Sequence, residues 1–275
     1  HGKKLLDGDT SAVDALKKDL AELRNRKIHL LKSAGFPEDY LEPVYDCPDC
    51  KDTGYIGNKK CHCFKKAIIG LLYDQSNIKK FPVEADFSNF RLDYYPVSHY
   101  DKKTGRSSRS MMEDTLRICH HFIDSFGTEF NNLFFYGDVG VGKTFLSTCI
   151  AKEIMNREYS VLYFSAPQLF NTLAKNAFDK NDIDAHNMCE YIFDCDLLII
   201  DDLGTEYTNA FIASQFFTCI NERLLHRKST IISTNLSLES LADLYTERSF
   251  SRITSRYSLL KIVGDDIRIK KKLEH

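Results

Sequence analysis

Long apolar runs are missing from this sequence of 275 residues, and so is an excess of charge of either sign. No stretch approaches the roughly 18–20 consecutive apolar residues of a membrane span. The 37 Lys and Arg residues against 39 Asp and Glu residues leave a net charge of −2, so any nucleic-acid contact has to come from a local patch. Internal repeats, low-complexity tracts and a secretion signal are also missing. We therefore expect a cytoplasmic protein without a membrane partner.

The composition suits a packed core, because 43% of the residues are apolar and 28% are charged. At this length the core can serve one large domain or two modest ones. The sequence begins at His1 without an initiator methionine. We interpret residues 273–275 (Leu-Glu-His) as the start of a His-tag and leave them out of the fold prediction.

Cysteine is unevenly placed along the chain. Four of the nine cysteines lie between residues 47 and 63, and the others are scattered through apolar sequence, at Cys119, Cys149, Cys189, Cys195 and Cys219. The odd total, the missing secretion signal and the single cluster predict a reducing compartment and one metal site. We interpret the scattered five as ordinary core thiols.

The apolar patterns predict a small helical and metal-binding module followed by an α/β domain. Residues 11–34 have helical spacing of Leu and Val, which fits a helix packed on its own domain or half of a coiled-coil-like surface for a partner. Residues 81–109 have the pattern of an irregular connector. From about residue 111, helices alternate with short, continuous apolar strands, which predicts a parallel sheet flanked by helices on both faces.

A glycine-rich loop after one predicted strand carries the clearest chemical signal. The sequence GDVGVGKT fits the pattern G-x-x-x-x-G-K-[ST], with the strand NLFFY before it and a helix after it. Glycines are needed because backbone N–H groups must turn inward around phosphate oxygens, while the helix N-terminus favours the same anion. We expect nucleotide contacts from Gly137, Asp138, Val139, Gly140, Val141, Gly142, Lys143, Thr144 and Phe145.

Two further strand ends supply polar groups for the same site. The strand LLII ends in Asp201-Asp202, which puts carboxylates where open α/β sheets bind ligands. We expect Asp201 to hold Mg²⁺ together with the Thr144 hydroxyl, and Asp202 to polarise the attacking water. The strand TIIST ends in Asn235, which suits a residue that orients this water. The Asn-Lys-x-Asp motif of guanine-nucleotide switches is absent from the expected region.

Two arginines complete the predicted catalytic set of Lys143, Asp202, Asn235, Arg252 and Arg268. Arg252 lies on a short helix after the Asn235 strand, and Arg268 follows the last predicted strand. Phosphoryl transfer spreads negative charge over the γ-phosphate, and a guanidinium supplied at the transition state contributes about 10³–10⁵ in rate.

The cysteine cluster predicts a structural metal site. Its four thiols, Cys47, Cys50, Cys61 and Cys63, can surround a tetrahedral Zn²⁺, and His62 could replace one of its neighbours. An iron–sulfur cluster is an alternative. Five lysines and two aromatic residues nearby indicate either a nucleic-acid surface or compensation of the thiolate charge; they are Lys51, Lys59, Lys60, Lys65, Lys66, Tyr55 and Phe64.

With these motifs in this order, the chain resembles the AAA+ ATPases, and more closely the bacterial replicative-helicase loaders of the DnaC/DnaI type. The resemblance covers nearly the whole chain from about residue 41. It is carried by the strings YDCPDCKDTGYI…CHCFKK, GDVGVGKTFLSTCIAKEI, DLLIIDDLGTE, TIISTNLSLESLADLYTERSFSRI and GDDIR. The cysteine-rich string joined to this core is more specific than the core alone.

The resemblance implies an AAA+ fold that binds ATP and ADP, with Asn235 as sensor 1, Arg252 as an arginine finger acting on the next subunit, and Arg268 as sensor 2. It implies a loader that binds the hexameric replicative helicase, helps place it on single-stranded DNA and self-associates through the ATPase domain. It points to DNA contacts near Lys175 and Phe178, where a core Phe and a solvated Lys are the alternative.

The implied domains are residues 1–66 for the helix and the zinc-binding, helicase-interaction module, 67–108 for a linker and the start of the ATPase domain, and 109–272 for the AAA+ ATPase domain. Asp202 stands where many AAA+ proteins have Glu, which predicts slow, switch-like turnover. Two other functions stay open: a transposition helper ATPase, which usually lacks such a cysteine module, and a non-hydrolysing zinc adaptor.

Overall fold

The computed structural model describes residues 11–64, 67, 85–179 and 181–273. The chain divides into two compact units, one ending at Cys61 and the other beginning at His62. Of the segment 67–108, predicted as a linker and the start of the ATPase domain, residues 68–84 lie outside the described residues, and so do Lys65, Lys66 and the last two residues of the predicted tag.

The first unit contains helix α1, Ser11–Ser33, close to the predicted range of 11–34. The leucines whose spacing predicted this helix are exposed: Leu20 by 56%, Leu23 by 63% and Leu30 by 59%. Farther along, strands β1 (Tyr55–Ile56) and β2 (Lys59–Lys60) form an antiparallel hairpin. This hairpin returns the chain toward the first pair of cysteines.

The second unit contains a parallel sheet of five strands in the spatial order β4-β5-β6-β3-β7. The strands are β3 Leu133–Tyr136, β4 Val161–Ser165, β5 Leu197–Leu203, β6 Ser229–Thr234 and β7 Ser258–Lys261. Since β3 lies between β6 and β7, the chain leaves β3 to form β4, β5 and β6 on one side of it. The chain then adds the last strand, β7, on the other side of β3. Ligands bind outside the carboxyl ends of the strands at such a reversal of strand order.

Helices connect the strands and cover the sheet. They are α2 Ser108–Asp124, α3 Lys143–Asn156, α4 Ala166–Phe178, α5 Ile183–Asp194, α6 Ala210–Leu225, α7 Leu238–Leu244, α8 Glu247–Arg256 and α9 Ile267–Leu273. Within the described residues, no helix is long and apolar enough to cross a membrane.

The continuous apolar runs of the strands divide between two cores. In β5, Leu198 and Ile200 pack with α4, α5 and α6, while Leu197 and Ile199 pack with α2 and α3. Alternate side chains point to opposite faces of a strand, so a strand covered on both faces has no polar face. The predicted fold class, an α/β fold with a parallel sheet flanked by helices, is confirmed.

Several boundaries and two helices differ from the prediction. Helix α2 begins three residues earlier than expected, where the Ser107 hydroxyl accepts a hydrogen bond from the Ser110 N–H. The predicted break near Glu247 is the turn between α7 and α8. Helices α5 and α9 were not predicted, because a polar start in α5 and a lysine run in α9 conceal the apolar periodicity.

The five scattered cysteines are free thiols buried in the core, as predicted: Cys119, Cys149, Cys189, Cys195 and Cys219. Burial raises the pKa of the Cys149 and Cys219 thiols to about 12. These thiols therefore stay neutral at physiological pH, which makes them poor nucleophiles and poor metal ligands.

Candidate functional site

The glycine-rich loop joins β3 to α3 and has the backbone geometry that only glycine adopts easily. Gly137 has φ +145° and Gly142, at the start of α3, has φ +104°. A Cβ on Gly137 would lie 2.1 Å from the carbonyl oxygen of Ile262, and a Cβ on Gly142 would lie 2.6 Å from the Tyr95 hydroxyl oxygen. Larger residues at these two positions would collide with neighbouring segments, so the loop keeps a glycine backbone whose N–H groups can approach an anion.

Lys143 lies at the first turn of α3 with only 4% of its surface exposed. Its Nζ atom donates hydrogen bonds to the carbonyl oxygens of Gly137, at 2.8 Å, and Asp138, at 2.6 Å. Burial lowers the pKa of this amine, and the nearby Asp202 and Asp201 carboxylates oppose that effect. Lys143 thus places a positive charge directly beneath the loop.

The Thr144 hydroxyl meets the end of β5. Its Oγ1 atom lies 3.2 Å and 3.0 Å from the two carboxylate oxygens of Asp201. Ser233 on β6 donates a hydrogen bond to the same carboxylate and accepts one from the Asp202 N–H at 3.0 Å. The hydroxyl and carboxylate oxygens of Thr144 and Asp201 are hard ligands that fit Mg²⁺. Ser233, which orients Asp201, was not identified from the sequence.

Asp202 is held in a strained backbone conformation at the rim of the site. Its φ is +55°, and the register between β5 and β6 shifts at this point. Burial raises the pKa of its carboxyl group, and the Asp201 charge adds to the effect. The Nδ2 atom of Asn235 lies 3.4 Å from an oxygen of Asp202. Because of this register shift, the Asp202 side chain does not follow the alternating directions of the strand side chains and points toward the glycine-rich loop.

These elements surround a cavity of about 410 Å³. Its lining includes nine of the predicted residues: Val139, Gly140, Gly142, Lys143, Thr144, Phe145, Asp202, Asn235 and Arg268. Asp201 lies beside the cavity, behind Thr144. Val141 is fully buried in the core, and its carbonyl oxygen accepts a hydrogen bond from the Tyr95 hydroxyl at 2.8 Å.

One wall of the cavity comes from the segment that the sequence pattern predicted to be an irregular connector. Two short 3₁₀ turns, Phe87–Asn89 and Leu92–Tyr94, place aromatic and cationic side chains against the loop. The Arg91 guanidinium lies 4.7 Å from the centroid of the Tyr94 ring. Further lining residues from this wall and from α9 are Ala85, Asn89, Phe90, Tyr95, Ile267 and Lys271. The high density of aromatic residues in the string FSNFRLDYY was the sequence signal that could have identified this wall of the cavity.

The two predicted arginines lie in different places. Arg268 lines the cavity and pairs with Asp266, with its Nε and a terminal guanidinium nitrogen 3.0 Å and 2.8 Å from the carboxylate oxygens. Arg252 lies on α8 outside this cavity, where its Nε donates to the Asn221 side chain at 3.2 Å. Arg252 instead lines a separate, open depression with Arg248.

Lys175 and Phe178 both lie exposed near the end of α4. The Phe178 side chain is 77% exposed, and its ring centroid is 4.9 Å from that of Phe211. The alternative of a core phenylalanine is therefore wrong.

The four cysteines of the cluster between residues 47 and 63 lie close together. The thiols of Cys47, Cys50, Cys61 and Cys63 all lie within 4.8 Å of one another, and all but the last are buried. The sulfurs of Cys47 and Cys61 are 3.7 Å apart, close to the roughly 3.8 Å between two thiolates on a tetrahedral Zn²⁺. This donor set fits a structural zinc ion.

Hydrogen bonds to backbone groups hold the cysteine-bearing segments in place. The Asp52 carboxylate accepts hydrogen bonds from the N–H groups of Asp46, at 3.1 Å, and Cys47, at 2.8 Å. After the hairpin, the Cys61 N–H donates to the Gly54 carbonyl oxygen at 2.7 Å. The His62 side chain is exposed, and the side chain of Lys60 lies outside the described residues.

Comparisons with known proteins identify relatives of this chain. A sequence profile of the IstB-like ATP-binding proteins matches residues 75–275. The chain is 27% identical over 236 residues to phage-like element PBSX protein XkdC of Bacillus subtilis (strain 168), which covers 81% of this chain and 83% of that protein. It is also 29% identical to replicative helicase loader DnaI of the same strain over 115 residues. That alignment covers 42% of this chain and 36% of DnaI.

Among solved structures, a crystal structure of the DnaC helicase loader is similar, with a TM-score of 0.51 and 25% identity over 64% of this chain and 97% of that one. The predicted resemblance to helicase loaders is confirmed by these relatives. Because the profile covers most of the sequence, the chain belongs to the family of IstB-like ATP-binding proteins.

Proposed function

We propose that this protein is an ATP-dependent loader that binds the replicative DNA helicase and helps place it on single-stranded DNA. One observation carries the proposal: in a chain similar to helicase loaders, the glycine-rich loop and the acidic end of β5 meet at one cavity, with Thr144 3.0 Å from Asp201. A cavity with this cradle, a buried lysine and hard oxygen ligands suits a nucleoside triphosphate with its divalent cation.

Within this site each residue has a defined task. Backbone N–H groups of the loop and the Lys143 amine bind the phosphates, while Thr144 and Asp201 would hold Mg²⁺, which neutralises phosphate charge when bound. Asp202 accepts a proton from the attacking water, and Asn235 orients that water. The shorter carboxylate of Asp202 makes hydrolysis slow, which suits a switch.

Arg252 acts on the nucleotide of a neighbouring subunit. Its exposed side chain lies on α8, outside the cavity of its own chain, which supports this role. Arg252→Ala should therefore keep nucleotide binding and lose hydrolysis, whereas Arg256→Ala, one turn later on the same helix, should hydrolyse normally. A mixture of the Arg252→Ala and Lys143→Ala proteins should regain part of the ATPase rate, because some interfaces combine an intact loop with an intact arginine. If a strictly monomeric form hydrolyses ATP at the full rate, Arg252 does not act between subunits.

The first unit supplies the helicase contact. Helix α1 exposes Leu20, Leu23 and Leu30, an apolar set that a partner helix can cover. The zinc-bound cysteines stabilise the neighbouring segment, which is too short to form a core of its own.

Single-stranded DNA contacts the end of α4. The exposed Phe178 ring offers a stacking surface, and the Lys175 amine neutralises the DNA backbone. Phe178→Ala should weaken binding of an oligothymidylate by a factor of about 5 to 150, the equivalent of one lost stacking contact. An equal loss on a duplex of the same length would argue against base stacking.

The decisive experiment is copurification with endogenous partners under ATP and under ADP. Recovery of the replicative helicase, and faster loading of that helicase onto single-stranded DNA in a purified system, support the proposal. Recovery of a transposase instead would indicate a transposition helper. Tight ATP binding without turnover, even with DNA and helicase present, would indicate a non-hydrolysing adaptor.

A further inference from the structure

Asp266 places a carboxylate between the glycine-rich loop and Arg268. The side chain lies so close to the loop that a Cβ on Gly140 would come within 2.1 Å of its carboxyl carbon. The next residue, Ile267, donates its backbone N–H to the Gly140 carbonyl oxygen at 3.0 Å, which fixes the start of α9 against the loop. The carboxylate is thus held in position at the edge of the phosphate cradle.

The Arg268 guanidinium is bound at two points by this carboxylate, at 3.0 Å and 2.8 Å. Bidentate pairing of this kind uses the same donor edge of the guanidinium that recognises a phosphate. The Arg268 side chain lines the cavity and is 66% exposed. Lys143 and Asp202 line the same cavity, so the proposed site places Arg268 with the groups that meet the terminal phosphate and the attacking water.

We propose that Asp266 is a built-in competitor for Arg268, which a nucleoside triphosphate must displace before Arg268 can bind its terminal phosphate. The inference rests on the proposed nucleotide site and goes further by naming the group that sets the preference between triphosphate and diphosphate. Since a diphosphate lacks the terminal phosphate, it gains nothing from displacing the carboxylate. Asp266 is therefore a positioning residue that lowers the affinity for the triphosphate selectively.

Asp266 also caps α9, because its carboxylate accepts a hydrogen bond from the Arg268 N–H at 2.9 Å. The substitution Asp266→Asn separates the two roles, since Asn caps helices about as well as Asp but carries no charge. Asp265 is a matched control, because its carboxylate lies one residue away, is exposed, and pairs with Lys270 at 2.9 Å.

The test compares dissociation constants for AMPPCP, a non-hydrolysable triphosphate, and for ADP, both with Mg²⁺, by isothermal titration calorimetry. Asp266→Asn should increase the preference for the triphosphate about fivefold, the size of a partly exposed ion pair. Asp265→Asn should leave the preference unchanged. In an Arg268→Ala background, Asp266→Asn should no longer alter it, because the competition needs both partners.

The outcomes separate this inference from the proposed function. If the wild-type protein binds neither nucleotide, both are wrong. If it binds the triphosphate and Asp266→Asn leaves the preference unchanged, or tightens both nucleotides equally, only the competition is wrong. Thermal unfolding of each variant verifies that the protein stays folded. Asp266→Ser, which also caps, replaces the Asn variant if that protein misfolds.

Discussion

Two buried serines near the nucleotide site should respond in opposite ways to the same substitution. Ser233 and Ser147 are both fully buried. The Ser233 hydroxyl donates to the Asp201 carboxylate and accepts from the Asp202 N–H. The Ser147 hydroxyl, on α3, has no hydrogen-bond partner among the described residues. Comparing the two serine-to-alanine variants therefore separates the contribution of the hydrogen bonds from that of burying a small side chain.

Ser233→Ala removes a hydrogen bond to a charged group and leaves the Asp202 N–H without its acceptor, which should lower the free energy of unfolding by about 3 kcal/mol. Ser147→Ala removes an unsatisfied polar atom and introduces a better helix former, which should raise that free energy by about 1 kcal/mol. Because the sequence contains no tryptophan, urea unfolding is followed by far-UV circular dichroism.

The nucleotide provides a second readout. Ser233→Ala should also weaken binding of Mg²⁺ with ATP, because Asp201 loses the group that orients it, whereas Ser147→Ala should not. If the two variants are destabilised equally, packing and not hydrogen bonding decides the energetics at these positions. The assigned role of Ser233 would then be wrong.

Three further results are expected. A strong chelator, or Cys47→Ser, should unfold the region around the cysteine cluster while nucleotide binding persists; simultaneous loss of both would mean one cooperative unit. Asp202→Asn should raise the free energy of unfolding at pH 7 but not below pH 3.8. The pKa of Asp202 is raised because the folded state disfavours its charged form, so stability falls as the pH rises through that pKa. Urea midpoints at both pH values measure this difference. Gly142→Ala should abolish nucleotide binding in calorimetry, since the new Cβ meets the Tyr95 hydroxyl at a backbone angle that alanine rarely adopts, and binding of normal strength would contradict the cradle geometry.

The sequence alone determined the parts of this protein whose signal is local. A loop that must cradle phosphate needs glycines at fixed spacing, so GDVGVGKT could be recognised without knowledge of the fold. The run LLII before Asp201 identified a buried strand, because only a strand covered on both faces has no polar face. Closely spaced cysteines likewise predicted their convergence, since the hairpin between them is only a few residues long.

The tertiary structure decided what depends on residues far apart in sequence. Ser233 is an ordinary strand serine until β6 pairs with β5 and brings its hydroxyl to Asp201. Tyr95 belongs to a segment without regular periodicity. Its role is visible only in the fold, where its hydroxyl contacts the loop at Val141, which lies 46 residues farther along the chain. The position of Arg252 outside its own cavity, and the pairing of Asp266 with Arg268 beside Gly140, also follow from packing. Local patterns record the needs of one segment, whereas these contacts arise only when the strand order β4-β5-β6-β3-β7 brings several segments to one edge of the sheet.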